Sequence, residues 1–211
     1  MNASLFDSFD TIKENIRKSK IVDVKSGTSA IKRKNRHLTR RAKSEEVLRS
    51  VLPDMVEVGV SYHVMSSGDV DSMSYMTFFM INYCFDEVLI STWVIADSDI
   101  DNLIDLMSNG RIKKLKLCLG EIYPGTYPAE YSRLLKMRDD FDFEMVVARN
   151  HSKIMLMSGG TSGMDLVIES SANVNTNPRM EQTAIHNDKG LYDFYSEFFS
   201  GVKSIDRYSA N

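Results

Sequence analysis

From residue 55 onward, apolar positions recur at two spacings that take turns. Residues 56–65 (VEVGVSYHVM), 86–95 (DEVLISTWVI), 114–120 (KLKLCLG) and 141–148 (FDFEMVVA) are short alternating or wholly apolar runs, the spacing of strands. Helical spacings lie between them. Residues 66–84 are opened by the polar Ser66-Ser67 step and Asp69; Ile100, Leu103, Ile104 and Met107 follow the cap signal Asp97-Ser98-Asp99 and stop at Gly110; Tyr127, Tyr131, Leu134 and Leu135 mark a third helix. Strands joined by helical crossovers pair in parallel, right-handed units. After residue 150 the rhythm changes. Residues 151–157 (HSKIMLM), 164–171 (MDLVIESS) and 181–186 (EQTAIH) read as three strands joined by loops, and a closing helix places Leu191, Phe194, Tyr195 and Phe198 on one face. The pattern predicts an α/β domain built on a mixed, largely parallel sheet with helices on both faces.

The first part of the chain has no such rhythm. Residues 1–43 are polar and cannot bury enough apolar surface to offset their ordering entropy, so they are predicted to form a basic, flexible arm with a short helix near residues 8–19. The folded domain is predicted over 44–211, opening with a helix at 44–52 that Ser44 would cap and Pro53 would end. Charge sharpens this division. The 211 residues carry a net charge of only -3, but residues 11–43 hold 12 Lys and Arg against Glu14 and Asp23, a local +10, which leaves -13 for the rest. A cationic stretch interleaved with Ser, Thr and Asn suits contact with nucleic-acid phosphates, and Lys32, Arg33, Lys34, Arg36, Arg40 and Arg41 are its candidate contacts. Few aromatic residues lie among them, so the arm is not expected to stack on bases.

Composition excludes other classes. With 43% hydrophobic residues, 4 Pro and 11 Gly, the chain is neither collagenous nor wholly disordered. Cys84 and Cys118 stand 34 residues apart in apolar stretches and read as buried thiols rather than a disulfide or metal pair. The opening MNASLFDSFDTIKEN is unlike a secretory signal, and no run approaches the roughly 20 apolar residues of a membrane span. A cytoplasmic protein without a stable membrane anchor is the expectation.

The chemistry concentrates in residues 149–182. Alternate side chains of a strand share a face, so His151 and Lys153 point together, as do Ser171 and Asn173, with Glu181 available from the next segment. An imidazole, an ammonium, a hydroxyl and a carboxamide at one spot suit a phosphodiester: a nucleophile or proton carrier, one cation, and neutral donors for the non-bridging oxygens. Arg149 and Arg179 flank the set as further substrate-binding cations, and the chemistry requires neither metal nor other cofactor. Other candidates have plainer readings. His186 would be a second general acid only in a monomeric enzyme and otherwise reads as a surface residue at a strand end; His63 reads as structural. Asp97, Asp99 and Asp101 lack the Gly and distal Glu of a calcium loop and suit the first turn of a helix. Gly159-Gly160-Thr161-Ser162-Gly163 lacks the following Gly-Lys-Ser/Thr of a phosphate loop and is expected to be a flexible hairpin at the rim of the site.

The order of elements and these residues resemble the phospholipase D superfamily over roughly residues 68–200. Its signature is His-x-Lys, four residues, Asp, then a Gly-Ser-x-Asn turn and a downstream acid. The matches are His151-Ser152-Lys153, Ser170-Ser171-Ala172-Asn173 and Asn177-Pro178-Arg179-Met180-Glu181. Two positions depart from it: Ser158 stands where the signature has Asp, and Ser170 where it has Gly. The resemblance implies a phosphodiesterase, most readily a DNA endonuclease, that passes through a phosphohistidine. It also implies a homodimer, since the chain holds one motif where larger members bring two together. His151 of one protomer would attack phosphorus and His151 of the other would protonate the leaving oxygen. Lys153 and Asn173 would hold phosphoryl oxygens, and Glu181 would orient a histidine. The alternatives are a non-catalytic nucleic-acid-binding module and a phospholipid hydrolase or transferase.

Overall fold

The computed structural model describes residues 21–23, 29–31, 36–141, 143–175 and 179–205. The chain divides into two compact units, residues 1–39 and 40–211. In the first, β1 (Ile21–Asp23) and β2 (Ser29–Ile31) pair antiparallel. The helix expected near residues 8–19 lies outside the described residues, as do Lys32, Arg33 and Lys34.

The second unit is built on a seven-stranded sheet in the order β3-β9-β8-β7-β4-β5-β6. Its strands are β3 (Ser61–Ser66), β4 (Phe85–Thr92), β5 (Ile112–Gly120), β6 (Phe143–Ala148), β7 (Ile154–Ser158), β8 (Asp165–Ser170) and β9 (Glu181–Asn187). The mixed α/β sheet flanked by helices is as expected. Its parallel part is β4-β5-β6, where helical crossovers join the strands, and the other pairings are antiparallel. Loop connections after residue 150 leave no room for a crossover, which is why the second half of the sheet runs up and down.

One face of the sheet meets α1 (Arg36–Val51), α2 (Ser72–Met80), α3 (Asp97–Ser108), the short α4 (Tyr123–Thr126) and α5 (Pro128–Asp140) in the main core, which includes Leu48, Met76, Phe79, Ile90, Leu103, Leu117, Leu134 and Met155. The other face carries Leu89, Cys118, Ile154, Leu156 and Val167 and is covered by α6 (Lys189–Ser200) through Tyr192 and Phe199. The expected inward face of α6 is therefore corrected: Tyr192 and Phe199 point in, with Leu191 and Tyr195 beside them, whereas Phe194 and Phe198 are 61% and 63% exposed. Among the described residues, no helix is long and apolar enough to cross a membrane.

Several boundaries move for local reasons. The helix expected from Ser44 begins at Arg36, and Ser44 lies buried inside it, donating to the Asp69 carbonyl rather than capping. Asp71, not Asp69 or Ser66, caps α2 by accepting from the Ser74 N–H at 2.9 Å. The Gly-rich turn joins β7 to β8 at the end of β7 away from Lys153, so it is not at the rim of the expected site. A Cβ at Gly160 would stand 2.0 Å from the Cys84 carbonyl oxygen, so only glycine fits there, and the Thr161 N–H, donating to that carbonyl at 3.1 Å, fastens the turn to Cys84.

Candidate active site

The carboxyl ends of β4, β5 and β6, the start of β7, the end of β8 and the start of β9 all lie along one end of the sheet, and every residue of the expected phosphodiester set lies there. Ligand crevices in open α/β sheets form at such carboxyl ends. Leaving β6, the chain crosses the ends of β5 and β4 to enter β7, and residues 149–153 make the crossing. Asn150 fastens it. Its Nδ2 donates to the Cys118 carbonyl of β5 at 2.9 Å and to Ser91 Oγ of β4 at 2.9 Å, while its Oδ1 accepts from the Ser152 N–H at 3.0 Å and from Ser152 Oγ at 2.7 Å.

This crossing sets His151 at the surface, in the extended segment before β7 rather than within the strand as expected. The Lys153 ammonium donates to the His151 carbonyl at 2.5 Å and stands 3.1 Å from His151 Nδ1. Partial burial lowers the Lys153 pKa, and the negative charge of Glu181 acts against that shift. Glu181 accepts a short hydrogen bond from Ser171 Oγ, which itself accepts from the Gln182 N–H at 3.0 Å. Asn173 Oδ1 accepts from the Trp93 N–H at 3.2 Å. With the carbonyl side of the amide committed to backbone, Nδ2 is the donor side of the amide.

Three residues that the sequence reading missed, Trp93, Thr92 and Asn150, adjoin the set. The indole of Trp93 lies 5.0 Å from the His151 ring, centroid to centroid, inclined at 54°. Thr92 Oγ1 accepts from the Val174 N–H at 3.1 Å and so ties the Asn173 turn to the end of β4. A lone tryptophan at a strand end was the available signal for the first. Nothing in the local sequence marked Asn150, whose partners lie 59 and 32 residues away.

The outlying candidates separate clearly. Arg149 and Arg179 are exposed at the same end of the sheet. Arg40 donates to the Gly68 carbonyl at 2.9 Å, and Arg41 pairs with Asp99 at 2.7 Å, so both serve the packing of α1 within the second unit. Arg36 opens α1. His186 pairs with Ser61, five residues along β9 from Glu181, about 17 Å away in an extended strand. It cannot serve His151 as a general acid within one chain. Its ring is part of a polar network instead, Nδ1 against Ser61 Oγ at 2.7 Å and Nε2 against Glu169 Oε2 at 3.1 Å. His63 lies at mid-strand opposite Ala184, edge-on to His186 at 6.2 Å. Asp97 and Asp99 lie in the first turn of α3, as expected, and Asp97 and Asp101 bond Arg133. Cys84 and Cys118 are free thiols; Cys118 is buried, which pushes its pKa up to about 11, and Cys84 is half-buried.

Ser158, at the position of the signature Asp, lies five residues beyond Lys153, again about 17 Å in extended backbone. Its hydroxyl donates to Tyr192 Oη at 2.8 Å and helps seat α6 on the sheet. The substitution thus falls outside reach of the groups around His151.

No protein-family model matches the chain, and no curated protein does. Solved structures do. A polyphosphate kinase from Porphyromonas gingivalis matches 78% of this chain at 14% identity with a TM-score of 0.55. The archaeal chromatin protein TrmBL2 matches 91% of this chain and 78% of its own at 13% identity, TM-score 0.49. NucT from Helicobacter pylori matches 67% of this chain and 94% of its own at 12% identity, TM-score 0.48. The chain spans 30% of the length of the kinase. At such identities the likeness establishes the fold alone, a mixed α/β sheet flanked by helices.

Proposed function

We propose that the protein is a metal-independent phosphodiesterase, a DNA endonuclease that works as a homodimer through a phosphohistidine. The observation that carries this reading is the convergence of His151, Lys153, Asn173, Ser171 and Glu181 on one end of the sheet, from the entry to β7, the turn after β8 and the start of β9. These groups supply a nucleophile, a cation and neutral donors to one phosphoryl group.

In the reaction, His151 Nε2 attacks phosphorus and forms the P–N bond as the P–O bond to the leaving oxygen breaks. Attack by Nε2 needs its lone pair, so the ring proton must sit on Nδ1. Lys153 therefore leaves Nδ1 when a phosphoryl oxygen competes for its ammonium, a step that couples substrate binding to the right tautomer. Asn173 Nδ2 donates to a second phosphoryl oxygen. The leaving oxygen takes its proton from the partner's His151, which next removes a proton from water as that water attacks phosphorus and the P–N bond breaks. A second copy is part of this reading because His186, five residues along β9 from Glu181, is too far away to be the second imidazole.

The test is cleavage of plasmid and oligonucleotide in EDTA by wild-type protein, His151→Ala and Lys153→Ala, with the size of each in solution. Cleavage by a wild-type dimer, lost in both variants, is expected. A folded dimer that cuts no DNA, RNA or generic phosphodiester is a binding module, and release of headgroup from vesicles would make it a phospholipid enzyme.

A further inference from the structure

Trp93 is the chain's single tryptophan, and it is built into the site. Its backbone N–H is held by Asn173 Oδ1, and its indole touches the imidazole of His151. The seat for the indole is Gly120, the last residue of β5: a Cβ there would stand 2.1 Å from Trp93 Cδ1 and 2.9 Å from Nε1. No larger residue at position 120 leaves the ring where it is. The indole is half-buried, and at 54° the imidazole is inclined to it rather than stacked, so the aromatic face is not taken as a parallel ring would take it.

We infer that Trp93 is a base-stacking wall and that the substrate is single-stranded DNA, an inference that rests on the DNA reading above. A duplex keeps its bases stacked on one another, so only an unpaired base can lay its face on an indole beside the group that receives its phosphate. Single-strand sites combine such aromatic platforms with cations that follow the backbone. Exposed Arg149, two residues before His151, is such a cation. Gly120 and Trp93 thus form a specificity device at the edge of the nucleophile, although neither takes part in bond making.

Because Trp93 is the single tryptophan, its emission reports the contact directly. Titration of His151→Gln protein, which cannot turn the probe over, uses three probes of equal length: an oligothymidylate, the corresponding abasic strand and a duplex. Labelled-strand anisotropy gives occupancy independently. The expected result is strong quenching by the oligothymidylate and little by the abasic strand or duplex at matched occupancy. Trp93→Ala should bind the oligothymidylate about 5- to 150-fold more weakly, the range that base–aromatic stacking contributes, with abasic binding unchanged and Trp93→Phe largely restored. Equal quenching by the abasic strand, equal losses for both strands, or no binding of single strands would overturn the inference. The readout involves no cleavage, so a protein that binds and quenches but cuts nothing keeps this inference and loses the enzyme reading.

Discussion

Asn150 donates from Nδ2 to the Cys118 carbonyl at 2.9 Å, pinning the segment that carries His151 to the carboxyl end of β5. The same amide accepts from both the backbone and the hydroxyl of Ser152, so one side chain fixes the crossing on either flank of the histidine. Asn150→Ala is expected to lower kcat on a small chromogenic phosphodiester by more than about tenfold, with KM nearly unchanged, because small misplacements of a reacting group are costly. The orphaned polar groups should cost roughly 1–3 kcal/mol of stability. Steady-state kinetics and urea unfolding check both; a variant that loses stability but keeps kcat would reduce Asn150 to a packing residue.

Much of this was legible in the sequence, and the reason differs by element. β4, α3 and β5 follow from periodicity because each packs an apolar stripe of its own, such as Ile100, Leu103 and Met107 on α3. His151, Lys153, Ser171, Asn173 and Glu181 were singled out by motif, and the fold brings them to one end of the sheet. Asn150, Trp93 and Gly120 were not, since their roles depend on which strand ends lie side by side. The same holds for α6, where two aromatic faces compete and Ser158, by bonding Tyr192, helps select the one that turns inward.

Lys153 and Glu181 give the site a pH signature. Burial lowers the Lys153 pKa and the Glu181 carboxylate counters it. Removing that charge in Glu181→Gln disfavours the ammonium, so Lys153 should deprotonate at lower pH and the alkaline limb of the kcat/KM profile should move down. A limb that stays in place would take Lys153 out of the titration.

Burial pushes the carboxyl of Asp99 up to about 6; the charge of Asp71 acts in the same direction, and the Arg41 guanidinium against it. A carboxyl whose pKa is higher folded than unfolded binds more protons when folded. Its contribution to stability is complete below about pH 4 and is lost as the pH rises through about 6. The difference in unfolding free energy between wild type and Asp99→Asn should therefore change between those limits and level off above them. Urea midpoints from acidic to neutral pH measure this; a pH-independent difference would contradict the shifted carboxyl.

Truncation separates the basic segment from the fold. Since α1 begins at Arg36, and Arg40 and Arg41 bond Gly68 and Asp99, the cut belongs before residue 36. Deleting residues 1–35 removes eight Lys and Arg. This should flatten the fall of DNA affinity with salt and leave hydrolysis of a small phosphodiester nearly unchanged. Deleting residues 1–43 should also lower stability. An unaltered salt slope in the shorter deletion would remove the segment from DNA binding.

The central claim is that His151 is the nucleophile, and trapping its adduct tests this most directly. Protein mixed with oligonucleotide in EDTA is quenched in alkali, where a phosphohistidine survives, and its peptides are weighed. The account requires a phosphoryl-linked nucleotide on His151 that disappears in acid and is absent from His151→Ala. Full cleavage with no adduct, an adduct on another residue, or neither adduct nor cleavage would contradict it.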